Sequence, residues 1–116
     1  MNELIESIFE NFIVDGVSIP VMFGYYHGHG EPYVTYILEH IDETFQADNA
    51  LQYYVEHYDF DVYSKSSFYA IIESVKSNLQ TNGFKWDPTR TSSDYYETDT
   101  GYYHRTISFS YIRKEN

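Results

Sequence analysis

A chain of 116 residues is long enough for one domain with one hydrophobic core, and a hydrophobic content of 42% excludes disorder for want of apolar residues. The formal net charge of −11 comes from 18 acids against 7 Lys and Arg, which argues against nonspecific DNA or RNA binding, because that depends on Lys and Arg displacing counterions from phosphates. The absence of cysteine excludes a disulfide framework and any thiolate metal site.

The charge is uneven along the chain. No Lys or Arg precedes Lys65, so Met1 to Ser64 holds twelve acids and neither base, whereas the rest holds six acids and seven bases. A positively charged partner surface would suit the first part, although solvated surface acids explain the same pattern. No apolar run approaches the roughly 20 residues of a membrane helix. Met1 to Glu10 carries Glu3, Glu6 and Glu10 without a base, unlike a secretory signal. These features lead to the expectation of a soluble, cytoplasmic protein with no membrane partner.

Glu3 to Phe12 reads as a helix, because Leu4, Ile5, Ile8 and Phe12 recur at helical spacing and the acids occupy another face. Asp15-Gly16 is expected to end it. Val17 to Phe23 reads as a short strand that Pro20 marks as an edge. Gly24 to Glu31 is a loop with three of the six glycines, and Pro32 to His40 is a second strand. Ile41 to Gln52 lacks periodicity and is predicted as a loop. Tyr53 to Ser64 is the clearest strand: Tyr54, Tyr58, Phe60 and Val62 share one parity, while His57, Asp59 and Asp61 share the other.

Ser66 to Asn82 is the clearest helix, with Phe68, Ile71, Ile72, Val75 and Leu79 in one stripe and Asn82-Gly83 as its stop. Phe84 to Trp86 is a connector or short strand, Asp87 to Gly101 a polar loop, and Tyr102 to Arg113 a long closing strand with Ile107, Phe109 and Tyr111 inward. The result is a single domain over residues 1–116. Its expected class is α+β: a mostly antiparallel sheet of about four strands packed by two helices, with Ile72 and Val75 covering Phe60, Val62, Ile107 and Phe109. The Tyr53–Ser64 strand, at about 3.3 Å per residue, would run roughly 40 Å, while the following helix covers about 25 Å. A Tyr-rich strand end without cover calls for a partner or a loop. The chain's 14 Tyr and 8 Phe suit protein contacts in the same way.

Little in the sequence carries catalytic chemistry. His27, His29 and Glu31 alternate and could converge on Zn²⁺, but one glycine-rich loop supplies all three with no obvious group to orient the imidazoles. Asp59 and Asp61 would be adjacent carboxylates beside His57; lying on the polar side of a strand, they are expected to be solvated rather than to do acid–base work. Ser64, Ser66 and Ser67 suit the start of the second helix, and Trp86 suits packing. No GxSxG, P-loop, GxGxxG or HExxH pattern occurs. The expectation is therefore no enzyme, no catalytic residue, no cofactor, no metal site and no stoichiometric metal, with folding independent of Zn²⁺.

The order of elements, with Pro32-Tyr33-Val34-Thr35-Tyr36 on an early strand, a long strand passing through Ser64-Lys65-Ser66-Ser67 into an amphipathic helix, and a final strand from His104 to Tyr111, resembles the small tail-completion, or tail-terminator, proteins of long-tailed bacteriophages. The His27–Gly30 loop and the strong acidity have no match in that pattern. The resemblance implies a homo-oligomeric ring, expected to hold six copies, on the end of a tail tube. It also implies the tube protein and a head connector protein as partners, and a location in the host cytoplasm during assembly and then in the virion tail. The free chain would be able to stay monomeric until it meets its tube. Two other readings compete: an acidic inhibitor that mimics DNA, and a small hydrolase or metal-binding domain around His27 and His29.

Overall fold

The structure, a computed structural model, describes residues 2–26, 32–45, 52–66 and 68–115. Helix α1 (Asn2–Ile8) buries Ile5 completely and ends earlier than its apolar spacing implies, in a turn where Asn11 takes a φ of 57°. Asp15 and Gly16, both at positive φ, then form the two-residue turn of a hairpin between β1 (Ile13–Val14) and β2 (Val17–Ser18). Two positive φ values are what a type I′ turn requires, and Asp-Gly supplies them at little steric cost.

A six-stranded sheet carries the rest. Three strands of 13 residues dominate it: β4 (Tyr33–Phe45), β5 (Gln52–Ser64) and β8 (Tyr103–Glu115). β5 lies between the other two and is antiparallel to both. At the edge beside β4 runs β3 (Val21–Phe23), parallel to it and preceded by Pro20, whose carbonyl accepts from the Val34 amide at 2.9 Å. Beyond β8 come β6 (Lys85–Trp86) and β7 (Tyr95–Tyr96), both antiparallel to β8.

Helix α2 (Phe68–Thr81) lays its stripe of Phe68, Ile71, Ile72, Val75 and Leu79 on the sheet. It stops in a Schellman motif: Gly83 sits at φ 91°, the Phe84 amide reaches the Leu79 carbonyl at 3.0 Å, and the Gly83 amide reaches Gln80 at 3.3 Å. Ile72, Val75, Phe60, Val62, Ile107 and Phe109 all belong to one buried core, as their spacing predicts. No helix among the described residues is long and apolar enough to cross a membrane.

The expected α+β class with a sheet of about four strands is overturned. Among the described residues the chain is mostly β, with eight strands in two sheets and two helices. Four of the strands have two residues each, too short for alternation to show in sequence. The predicted loop from Ile41 is also corrected, because β4 continues to Phe45. Its pairing with β5 shifts between Leu38 and His40, where Glu39 is the extra residue. Such a bulge moves each later side chain to the opposite parity, so no continuous alternation marks the strand.

Strands of 13 residues at about 3.3 Å each run roughly 43 Å, whereas the 14 residues of α2 at about 1.5 Å cover only 21 Å. The three-strand ribbon therefore outruns its helix. The molecule measures 53 × 26 × 22 Å with a radius of gyration of 15.5 Å, against about 13 Å for a compact domain of this length. Ile41 and Ile112 are exposed on the overhang, and Ile37 and Leu38 just before it.

Cutting Ile72, 1% exposed, back to Ala removes buried methyl groups and leaves a cavity, so Ile72→Ala is expected to cost about 2–5 kcal/mol. Ile112→Ala, on the overhang at 63% exposure, should change stability by less than about 0.5 kcal/mol. Urea titrations of the two variants check both values, and the reverse ranking would place the core wrongly.

Candidate functional site

The strand period sends alternate β5 residues to opposite faces. Glu56, Tyr58, Phe60 and Val62 face the helix and are buried; His57, Asp59, Asp61 and Tyr63 face the other way. On that open face, the register sets Tyr63 between Tyr33 and His104, Asp61 between Thr35 and Thr106, Asp59 between Ile37 and Ser108, and His57 between His40 and Ser110. The segment from Asp87 runs along the outer edge of β8: the Asp87 amide bonds Ser108 at 2.9 Å, the Ser92 amide bonds Thr106 at 2.9 Å, and β7 follows.

From the Pro88–Arg90 turn of this segment, Arg90 reaches across the open face. Its Nη2 donates to Glu39 at 2.5 Å and lies 3.9 Å from Asp59, while Nη1 meets His57 Nδ1 at 3.0 Å. A guanidinium can only donate, so His57 Nδ1 accepts and the ring proton sits on Nε2, which donates to Asp42 at 2.9 Å. Ser108 Oγ shares its proton between Asp59 at 2.8 Å and the Arg90 carbonyl at 3.1 Å. The His40 ring stacks on His57 with centroids 4.1 Å apart, and its Nδ1 contacts Glu39.

Asp59 and Asp61 thus share a face as their spacing implies, but they are not simply solvated. Asp61 accepts from His104 Nε2 at 2.9 Å and from the Thr106 hydroxyl. Their side chains are only 21% and 24% exposed. Sequence parity shows the row of polar groups; it does not show that a cation from a turn 31 residues beyond Asp59 is laid over it.

A second row on this face is aromatic. Tyr26, Tyr33, Tyr63 and His104 follow one another at centroid distances of 4.9, 4.5 and 4.2 Å, and Tyr102 packs edge-on against Tyr33 at 5.5 Å. Burial pushes the Tyr63 hydroxyl well above the usual phenol range, and the Asp61 carboxylate adds to that. On the helix side burial does the same to Tyr58, with Glu56 next in effect. At the start of α2, Tyr69 and Arg105 both donate to Asp94, Arg105 Nε at 2.8 Å, and hold that carboxyl below its ordinary range.

Ser64 Oγ donates to the Ser66 carbonyl and accepts from its amide at 3.1 Å, which shapes the turn before α2; Ser67 lies outside the described residues. Trp86 packs against the core, donates to Thr91 Oγ1 at 3.0 Å and receives the Lys76 ammonium 3.7 Å from its ring centroid. His27, His29 and Glu31 lie outside the described residues. His40 and Asp42, which stand beside His57, fall in or next to the segment predicted as a loop; the bulge hid the signal that they share its face. Beside them, His57, Lys85, Trp86, Asp87, Pro88 and Ser110 line a polar groove of about 340 Å³.

The arrangement is suited to holding a rigid, Tyr-rich surface. Exposed Phe23, Tyr25, Tyr69, Tyr95, Tyr96 and Tyr103 supply large contact area with few torsions to order. Because the fold raises the Tyr58 and Tyr63 pKa values, their contribution is complete below the ordinary phenol pKa of about 10 and is lost as pH rises through the folded values. Alkaline titration should therefore ionise fewer than all 14 tyrosines until the circular dichroism of the fold collapses. A single ionisation step for all of them, with the fold intact, would contradict this.

No protein-family model and no curated protein matches this chain.

Proposed function

We propose that this chain is a structural subunit that closes a bacteriophage tail tube as a ring and joins it to the head connector. The observation that carries the reading is the three-strand ribbon, which extends past its helical cover and ends in two unlike edges. On one side, no described strand pairs with β4 beyond Tyr36 except β5. That stretch carries Glu39, Asp42 and Glu43 and no Lys or Arg. On the other side, no described outer strand pairs with β8 beyond Ser110. There the sequence supplies Arg113, which also meets Glu56 of its own chain at 3.6 Å, and Lys114 against one acid, Glu115.

Unlike edges of opposite charge favour a head-to-tail contact, and such contacts close into a ring when the rotation between neighbours closes. A long edge strand with exposed Ile37 and Ile41 is otherwise an aggregation liability, which pairing with a neighbour removes. Six copies would carry a formal charge of −66, six times −11, so assembly should be hindered at low salt and helped by screening. A strongly negative ring also suits a channel that DNA passes without sticking. An acidic DNA mimic would need free carboxylates at phosphate-like spacing. On the open face, Glu39, Asp59 and Asp61 are instead engaged by Arg90, Ser108, His104 and Thr106.

Electron microscopy of particles produced without this protein tests the proposal. Tails without heads and of abnormal, mostly excessive, length are the expected result. Tails of normal length joined to heads would overturn it and favour the acidic-inhibitor reading.

A further inference from the structure

Where the ribbon leaves its helical cover, the fold gathers two imidazoles and a carboxylate from adjacent strands. The Glu39 bulge puts His40 and Asp42, two residues apart on β4, on the open face, and the register sets His57 directly opposite His40. One ligand atom from each lies within 4.8 Å of the other two. His40 Nε2 is 3.4 Å and His57 Nε2 2.9 Å from Asp42 Oδ2. Ligands at about 2.0–2.1 Å around a tetrahedral ion stand roughly 3.3 Å apart, so these spacings are close to the edges of such a site.

The surroundings favour a cation there. The Glu39 carboxylate meets His40 Nδ1 and sets that nitrogen as a donor. The other ring nitrogen, Nε2, lies 3.4 Å from the Asp42 carboxylate, on the side where a cation would sit. A carboxylate behind a ligating imidazole is the usual orienting arrangement at zinc. We propose that His40, Asp42 and His57 form an exchangeable binding site for a divalent transition ion of the Zn²⁺ type, with the remaining position left for water or a group from a neighbouring chain.

Arg90 sets how exchangeable it is. Its bond to His57 Nδ1 keeps the ring proton on Nε2, so the ion must displace that proton and Arg90 must turn away, with Asp59 3.9 Å off as an alternative partner. The two rings are stacked within 15° of parallel and cannot both aim a lone pair at one ion as they stand. His40, whose side chain is 43% exposed, is the ring that turns. A bound ion would then tie the overhanging β4–β5 hairpin together just beyond the bulge.

Calorimetric titration of tag-free protein with ZnCl₂ near pH 8, about 1.5 units above the ordinary imidazole pKa, tests the site. One saturable Zn²⁺ per chain, accompanied by a rise in Tm, is expected. Asp42→Asn, which changes an exposed side chain, and His57→Ala should each abolish saturation. Glu39→Gln should weaken binding about tenfold, as loss of an orienting carboxylate does. Arg90→Met should tighten it. The double variant His27→Ala, His29→Ala should bind as the wild type does. Absence of saturable binding, retention of wild-type affinity by Asp42→Asn and His57→Ala, or loss of it in the His27/His29 variant would each overturn the proposal.

Discussion

The antiparallel register of β5 between β4 and β8 is the constraint on which the other features depend. It aligns Tyr36, Phe60 and Ile107 on one face and Thr35, Asp61 and Thr106 on the other. A slip of one residue would exchange the two sets and leave α2 facing carboxylates. Burial of the apolar set against the stripe of α2 holds the register, because Phe60, Val62 and Phe109 have no exposed surface in this arrangement. The same pairing continues beyond the end of the helix, so the ribbon inherits its geometry from the core although it has no core beneath it.

The Glu39 bulge is where core and overhang meet. Before it, Val34 and Tyr36 of β4 point to the helix; after it, His40 and Asp42 point to the open face beside His57. One extra residue thus turns a strand that serves packing into one that presents charged groups. Arg90 bridges the junction by contacting Glu39, His57 and Asp59 together. Its paired, partly exposed bonds are worth little as separate salt bridges. Their larger effect is to tie β4 and β5 to the segment that borders β8.

The polar open face and the Tyr-rich rim have a common cause in composition. Tyrosine can bury its ring and keep its hydroxyl wet, so a small domain with 14 of them can pack a core edge and present contact surface with the same residue type. Tyr36 marks the cost of that economy, since its hydroxyl is buried without a hydrogen-bond partner among the described residues.

Sequence alone determined the parts governed by local periodicity. The stripe of α2, its stop at Gly83, the two faces of β5 and the inward set of β8 follow from periods of 3.6 and 2, which persist over enough residues to be read. The mismatch between strand and helix length follows from the same counts. Tertiary structure decided the strands of two residues, which exist only because β8 or a hairpin turn supplies their partner. It also decided that β4 continues through Ile41, because a bulge erases the alternation that sequence reading relies on. The placement of Arg90 over His57 and Asp59 was likewise beyond reach, since it depends on how a polar segment is laid along the edge of β8, and no local pattern specifies a contact between residues 33 apart in the chain.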